Sequence, residues 1–258
     1  IFIVTEINSI PVFAGETVIL PSGASLRIEA IGLFDYDPTE AFDGLTTGQT
    51  ASDSFTYTIR DLSGATSTPA TVNLTVTGVN DAPVLSDDDF SLDEETPVSG
   101  DLFADNGRGP DFDKEGDAFL ISQINGAPVT DGQTIALPEG GLLTIRLDGT
   151  FDFDPLGDFQ SASAAQGVNA SFTYQVIDDL GAVANGGSAT LQIAGLNDAP
   201  EAFDDELAAN EGVLLAGNLL DDNGFGADTD IDIDKNGPTV FSLPQVPGAA
   251  VTDDQTLT

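Results

Sequence analysis

The run LPSGASLRIEAIGLFDYDP at residues 20–38 returns as LPEGGLLTIRLDGTFDFDP at residues 137–155. At that offset of 117, Phe2–Pro83 aligns with Phe119–Pro200 without a gap, and 32 of 82 positions are identical. SFTYTIRD (54–61) meets SFTYQVID (171–178), and GVNDAP (78–83) meets GLNDAP (195–200). A gap-free match of this length marks a repeated structural unit. A third copy opens after Pro200: LDEETPVSGDLFADNG (92–107) answers to ANEGVLLAGNLLDDNG (209–224). GAPVTDGQT (126–134) then recurs as GAAVTDDQT (248–256) at an offset of 122, so five extra residues fall between Asp228 and Phe241. The expected organisation is a partial repeat over 1–81, a complete one over 82–198 and a partial one over 199–258, with a period of about 117 residues.

Within each copy the apolar residues alternate. Phe55, Tyr57 and Ile59 are separated by Thr56 and Thr58, Val72, Leu74 and Val76 by Asn73 and Thr75, and Leu143, Ile145 and Leu147 by Thr144 and Arg146. Period-two alternation gives a strand one buried and one wet face, as in an antiparallel sandwich. DLSGA (61–65) and DDLGA (178–182) read as hairpin turns, and no stretch has helical period. Short strands at this density within about 100 residues predict an all-β fold of tandem immunoglobulin-like, Greek-key sandwiches.

Composition narrows the function. Forty-four acidic residues face six basic ones, a formal net charge of −38. Such a field repels nucleic acid and anionic lipid, so neither is an expected partner. It also opposes compaction unless cations sit among the carboxylates, and hard divalent ions prefer oxygen ligands. Cys and His are absent, which excludes disulfides, thiolate or imidazole metal sites and His-dependent nucleophilic catalysis. No run of about 18 apolar residues is present to insert in a membrane. The sequence begins at Ile1 without a Met or signal peptide and is read as an interior window of a longer chain, exported by a signal elsewhere.

The acidic residues are clustered. Asn80-Asp81 and Asn197-Asp198 offer side-chain oxygens immediately before a stiff Ala-Pro exit, an arrangement that suits either a cation linker or an Asx turn. Asp111, Asp113, Glu115 and Asp117 alternate in one loop, and Asp228, Asp230, Asp232, Asp234 and Asn236 in its counterpart. Carboxylates so close together repel unless a cation lies between them, and the glycines allow the chain to wrap one. Asp232, Asp234, Asn236 and Gly237 match the opening of an EF-hand loop, but Leu243 replaces its closing Glu, so a short Ca2+ loop is expected instead. Asp37 and Asp154, each before a Pro at a strand end, are further candidates; Asp35 and Asp152 read as ordinary exposed carboxylates.

DEETPVSGDLFADNG, DFDKEGD, GTFDFDP, SFTYQVIDD and GLNDAP, in that order, resemble the bacterial cadherin-like repeats, grouped with VCBS-type repeats, of very large RTX-type secreted adhesins. The resemblance covers essentially the whole chain. It implies Ca2+ at module boundaries, with ligands carried onto Asn80, Asp81, Asn197 and Asp198, onto the pairs Asp111–Asp113 and Asp228–Asp230, and onto Glu94 or Glu95 and Glu211. Gly78 and Gly195 stand where the cadherin linker has its first acidic residue, and Gly157 stands where Glu40 resembles a further ligand.

The expected role is a Ca2+-stiffened extender in a secreted or cell-surface adhesin or biofilm-matrix protein, its partners being neighbouring repeats of the same chain. Homotypic assembly into an extracellular filament, sheath or surface layer is the alternative. Sugar binding is disfavoured because Trp is absent and Phe and Tyr follow the buried alternation; an enzyme is not expected.

Overall fold

The computed structural model describes residues 2–29, 31–162 and 167–232, and among these it forms strands and turns but no helix. None of the described residues therefore forms a helix long and apolar enough to cross a membrane. Asp234 and Asn236 lie outside the described residues.

Seven strands build the first sandwich: β1 (Phe2–Ile7), β2 (Ile10–Pro11), β3 (Glu16–Ile19), β4 (Ser25–Ile28), β5 (Phe34–Asp37), β6 (Thr50–Asp61) and β7 (Ala70–Thr77). One sheet has the order β2-β1-β6-β7 and the other β3-β4-β5. Nine strands build the second: β8 (Asp88–Asp93), β9 (Val98–Asp101), β10 (Phe119–Ile124), β11 (Ala127–Pro128), β12 (Gln133–Ala136), β13 (Leu142–Ile145), β14 (Thr150–Asp154), β15 (Gly167–Asp178) and β16 (Val183–Ala194). Its sheets run β11-β10-β15-β16-β8 and β12-β13-β14-β9. Even irregularities recur: β1 on β6 shifts register between Val4 and Glu6, and β10 on β15 between Ile121 and Gln123.

One pairing departs from the expected antiparallel pattern. β8, at the start of the second sandwich, lies parallel to β16, at its end, with Phe90 opposite Leu191 and Asp93 opposite Ala194. Parallel neighbours need a long connection, and here the rest of the sandwich supplies it.

The alternation read from sequence becomes burial. Along β15, Ala170, Phe172, Tyr174, Val176 and Asp178 all point inward. Phe151, Phe153 and Phe172 are almost fully enclosed, as are Leu143, Ile145, Leu191 and Ile193. Each such side chain contributes roughly 1.5–3 kcal/mol of transfer free energy. The first sandwich packs a smaller core around Ile7, Leu20, Leu26, Ile28 and Phe55. Period two also puts Glu94 in the inward row of Asp88, Phe90 and Leu92, while Glu95 faces solvent.

Candidate metal centres

The linker between the sandwiches is pinned before it reaches β8. Val84 and Phe112 exchange two backbone hydrogen bonds, 2.7 and 3.1 Å long, which fasten the 111–117 loop to the linker. The same bridge recurs between Glu201 and Thr229, at 2.8 and 2.9 Å. In both places an Asp-x-Asp loop is thereby held beside an Asn-Asp linker.

In the 111–117 loop, Asp113 Oδ1 accepts hydrogen bonds from the backbone N–H groups of Glu115 (2.9 Å) and Asp117 (3.2 Å). Gly116, at φ +81°, makes the left-handed turn that this wrapping needs. The carboxylates of Asp113, Glu115 and Asp117 consequently face one another, with one oxygen of each within 4.8 Å of the others. Burial, followed by repulsion from neighbouring acids, raises the Glu115 and Asp117 carboxyl pKa values. Asp81 is one of the acids acting on Glu115.

The second group draws on residues far apart in sequence. Glu94 follows β8, Asp198 lies in the next linker and Asp232 in the loop beyond, and their oxygens again lie within 4.8 Å of one another. Two of the three, Glu94 and Asp232, are oriented by backbone donors. Leu196 N donates to Glu94 Oε1 (2.7 Å) and Asp198 N to Asp232 Oδ2 (2.5 Å). Asp230 Oδ1 accepts from Asp232 N (3.0 Å), as Asp113 does from Glu115. Burial, then the nearby Asp198 and Asp232, raises the Glu94 carboxyl pKa.

The pattern left over is specific. Eight buried side-chain oxygens among the described residues have no hydrogen-bond partner: Asn80 Oδ1, Glu94 Oε2, Asp113 Oδ2, both Glu115 oxygens, Asp117 Oδ2, Asp198 Oδ2 and Asp232 Oδ1. All belong to the two groups or to the linker beside the first. Unpaired buried acceptors cost about 1–3 kcal/mol each, more when charged. An all-oxygen, mostly anionic donor set fits a hard divalent cation such as Ca2+ and not a soft metal.

Other candidates are engaged elsewhere. Asp111 is buried, accepting from Ser86 N (2.6 Å) and Tyr174 Oη (2.9 Å), and its counterpart Asp228 accepts from Phe203 N (2.9 Å). Asp37 accepts from the backbone N–H (2.9 Å) and hydroxyl of Thr39, and Asp154 from Leu156 N (3.0 Å), so both cap turns before their prolines. Asn197 donates to the Asp198 carbonyl (2.8 Å), and Glu95 and Glu211 are exposed. The absent acid at position 78 has a steric cause. A Cβ on Gly78 would lie 2.3 Å from the Leu45 carbonyl oxygen and 2.5 Å from that of Thr46.

Two participants were not among the expected ones. Asp178 holds its hairpin through Leu180 N (2.9 Å) and Ala182 N (2.8 Å), while its other oxygen accepts from Asn80 Nδ2 (2.8 Å). That bond orients Asn80 and leaves its Oδ1 free. The signal was present: Asp178 continues the inward row of Phe172, Tyr174 and Val176, where an acid is out of place. Asp43, in the β5–β6 loop, receives the Lys114 ammonium at 2.6 Å. Nothing local to residue 43 marks it, because its partner is 71 residues away.

Residues 80–195 match the family model of the bacterial cadherin-like domain, and residues 4–75 that of the bacterial Ig domain. Among solved structures the chain is similar to one titled human mucin-like protocadherin EC1-2. The identity is 14%, coverage is 74% of this chain and 84% of that one, and the TM-score is 0.32. No curated protein matches the chain. Both matched families are structural and adhesion modules, typical of extracellular and surface proteins and not enzymes; residues 80–195 thus match a bacterial cadherin-like domain, and residues 4–75 ahead of it a bacterial Ig domain.

Proposed function

We propose that the two carboxylate groups bind Ca2+ at the joints between successive modules, and that the segment is a calcium-stiffened extender of a secreted or cell-surface adhesin or biofilm-matrix protein. The modules are taken as 1–81, 82–198 and 199–258, so that each joint carries an Asn-Asp linker. Asn80, Asp81, Asp113, Glu115 and Asp117 serve the first joint, and Glu94, Asp198 and Asp232 the second.

The observation that carries this reading is the set of eight buried, unpartnered oxygens gathered at two places. A divalent ion supplies the charge and the ligand contacts that these atoms lack, and it ties a linker to a loop of the following module. Extracellular modules bind Ca2+ at roughly 10⁻⁴–10⁻³ M, so such a rod is stiff outside the cell and slack where calcium is scarce.

Calorimetric titration with CaCl2 and small-angle scattering test it together. The expected result is binding heat, and a longer, narrower distribution of particle dimensions in calcium than in EDTA. Asp113→Asn should remove much of the first-joint heat. Asp111→Asn, at a residue committed to Ser86 and Tyr174, should not. Identical scattering profiles with and without EDTA would reject the stiffening role.

A further inference from the structure

Among the described residues, a basic side chain stands in the first joint and none in the second. In the first, Lys114 sits on the 111–117 loop between Asp113 and Glu115 and extends its ammonium to Asp43 Oδ2 in the first sandwich, 2.6 Å away. Asp43 is itself held in place, its Oδ1 accepting from Glu40 N (3.1 Å). In the second joint the matching residue is Ile231, which is half exposed. The remaining ion pairs among the described residues lie elsewhere: Arg27 with Glu29 and Asp35, Arg108 with Asp89, and Arg146 with Asp152.

We infer that Lys114 is an affinity-setting residue of the first joint: parked on Asp43, its ammonium links the two sandwiches without metal and weakens the affinity of the adjoining carboxylates for a divalent cation. The inference rests on the first group being a cation site. An ammonium next to these acids partly relieves their mutual repulsion in the metal-free state, and the same charge repels an incoming cation. Its field reaches the group: after Asp43, the Asp81 and Glu115 charges help to raise the Lys114 pKa. Asp43 keeps the ammonium to one side. Without that anchor, Lys114 is free to swing onto Glu115 or Asp81 and occupy the ligands.

The two halves of one ion pair therefore act in opposite directions on calcium binding. Lys114→Ile, which copies the matched Ile231, tightens the first site about three- to tenfold, as expected for removal of one unit charge near a divalent ion. Asp43→Asn weakens it. Lys114→Arg, which keeps the charge, stays near the parent value. In EDTA, both Lys114→Ile and Asp43→Asn loosen the joint.

The test is calorimetric titration of the full 258-residue chain with CaCl2, in an Asp198→Asn background that silences the second group. It is paired with spin-label distance distributions in EDTA, using cysteines in place of Thr71 and Thr173 in a chain that has no native Cys. Tighter binding by Lys114→Ile, weaker binding by Asp43→Asn and broader metal-free distances for both support the assignment. Affinity changes of the same sign, or none, overturn it in favour of a plain surface ion pair, and unbroadened distances overturn the metal-free link. Absence of calcium heat in the parent background overturns the cation site itself and this inference with it.

Discussion

Phe34 and Phe151 stand at matched positions in two copies of one repeat, yet Phe34 is 44% exposed and Phe151 only 1%. The second ring is covered by residues from the start of its own module. Phe90 of β8 meets it edge-on with centroids 4.8 Å apart, and Gly100 of β9 comes so close that a Cβ there would lie 2.5 Å from the ring. Phe103 similarly covers Phe119 at 4.7 Å. Among residues 2–77 no strand corresponds to β8 or β9, and Phe2, Ile28, Phe34, Phe55 and Tyr57 instead line an open cleft of about 290 Å³. Equal local sequence thus accompanies unequal burial, because Phe151 is covered by Phe90 and Gly100, which lie far before it in the sequence.

Truncating both rings should separate the two sandwiches most. Phe151→Ala should cost the second sandwich about 3–5 kcal/mol, whereas Phe34→Ala should cost the first about 1 kcal/mol, since an exposed ring leaves little cavity. Urea denaturation followed by circular dichroism reports both, and equal losses would mean that the cleft does not matter.

Calcium and pH should separate the two sandwiches next. At pH 7 and 10 mM Ca2+, the second sandwich should gain about 1.5–3 kcal/mol over its state in EDTA, and the first, with fewer of the ligands, should gain less. Glu94, Glu115 and Asp117 have carboxyl pKa values raised first by burial, so the metal-free fold favours their protonated forms. That contribution is complete below the unfolded values of 3.8–4.5 and is lost as pH rises through the higher folded values. The gain from calcium should accordingly shrink at pH 5, and calorimetric melting at the two pH values checks the sign.

A smaller effect tests a network in the second sandwich. Tyr174 Oη has three acceptors within reach, Ser86 O (3.0 Å), Asp88 Oδ2 (3.1 Å) and Asp111 Oδ2 (2.9 Å), but only one proton to donate. Burial pushes the Asp88 carboxyl up to about 6. Its neutral form is therefore the stabilising one, and that stability is lost as pH rises from about 4 through 6. Asp88→Asn supplies a donor where one is missing, and should stabilise the second sandwich at pH 7 by about 1–2 kcal/mol. A pH profile of melting that keeps its slope between pH 4 and 6 would count against it.

The smallest effect should be the same on both sides. Arg27 meets Asp35 at 3.4 Å and Arg146 meets Asp152 at 2.6 Å; the two Asp residues are matched, the two Arg residues are not, and both pairs are exposed. Replacing either Arg by Ala should cost less than about 1 kcal/mol in thermal melts.

Much of the candidate site was legible as residues and little of it as geometry. Asp113, Glu115, Asp117, Asp198 and Asp232 were marked by their alternation and by the Asn-Asp linkers, and their carboxylates do converge. The resemblance left Glu94 and Glu95 both open, and strand register turns Glu94 inward and Glu95 to solvent. Asp111 has the same local pattern as Asp113 but is captured by Tyr174, 63 residues away, which no short-range rule could show. Asp43 and Asp178 enter for the same reason, through partners 71 and 98 residues distant.

Period-two alternation, the recurrence of whole motifs and the absence of Cys and His were enough to establish an all-β chain of repeated modules with oxygen donors only, because these properties depend on neighbours one or two residues apart. Which oxygens meet, which rings are covered and which acid is paired with Lys114 were decided only when strands separated by many tens of residues closed on one another. Contacts of that kind are set by packing and strand order, and a linear pattern carries no record of them.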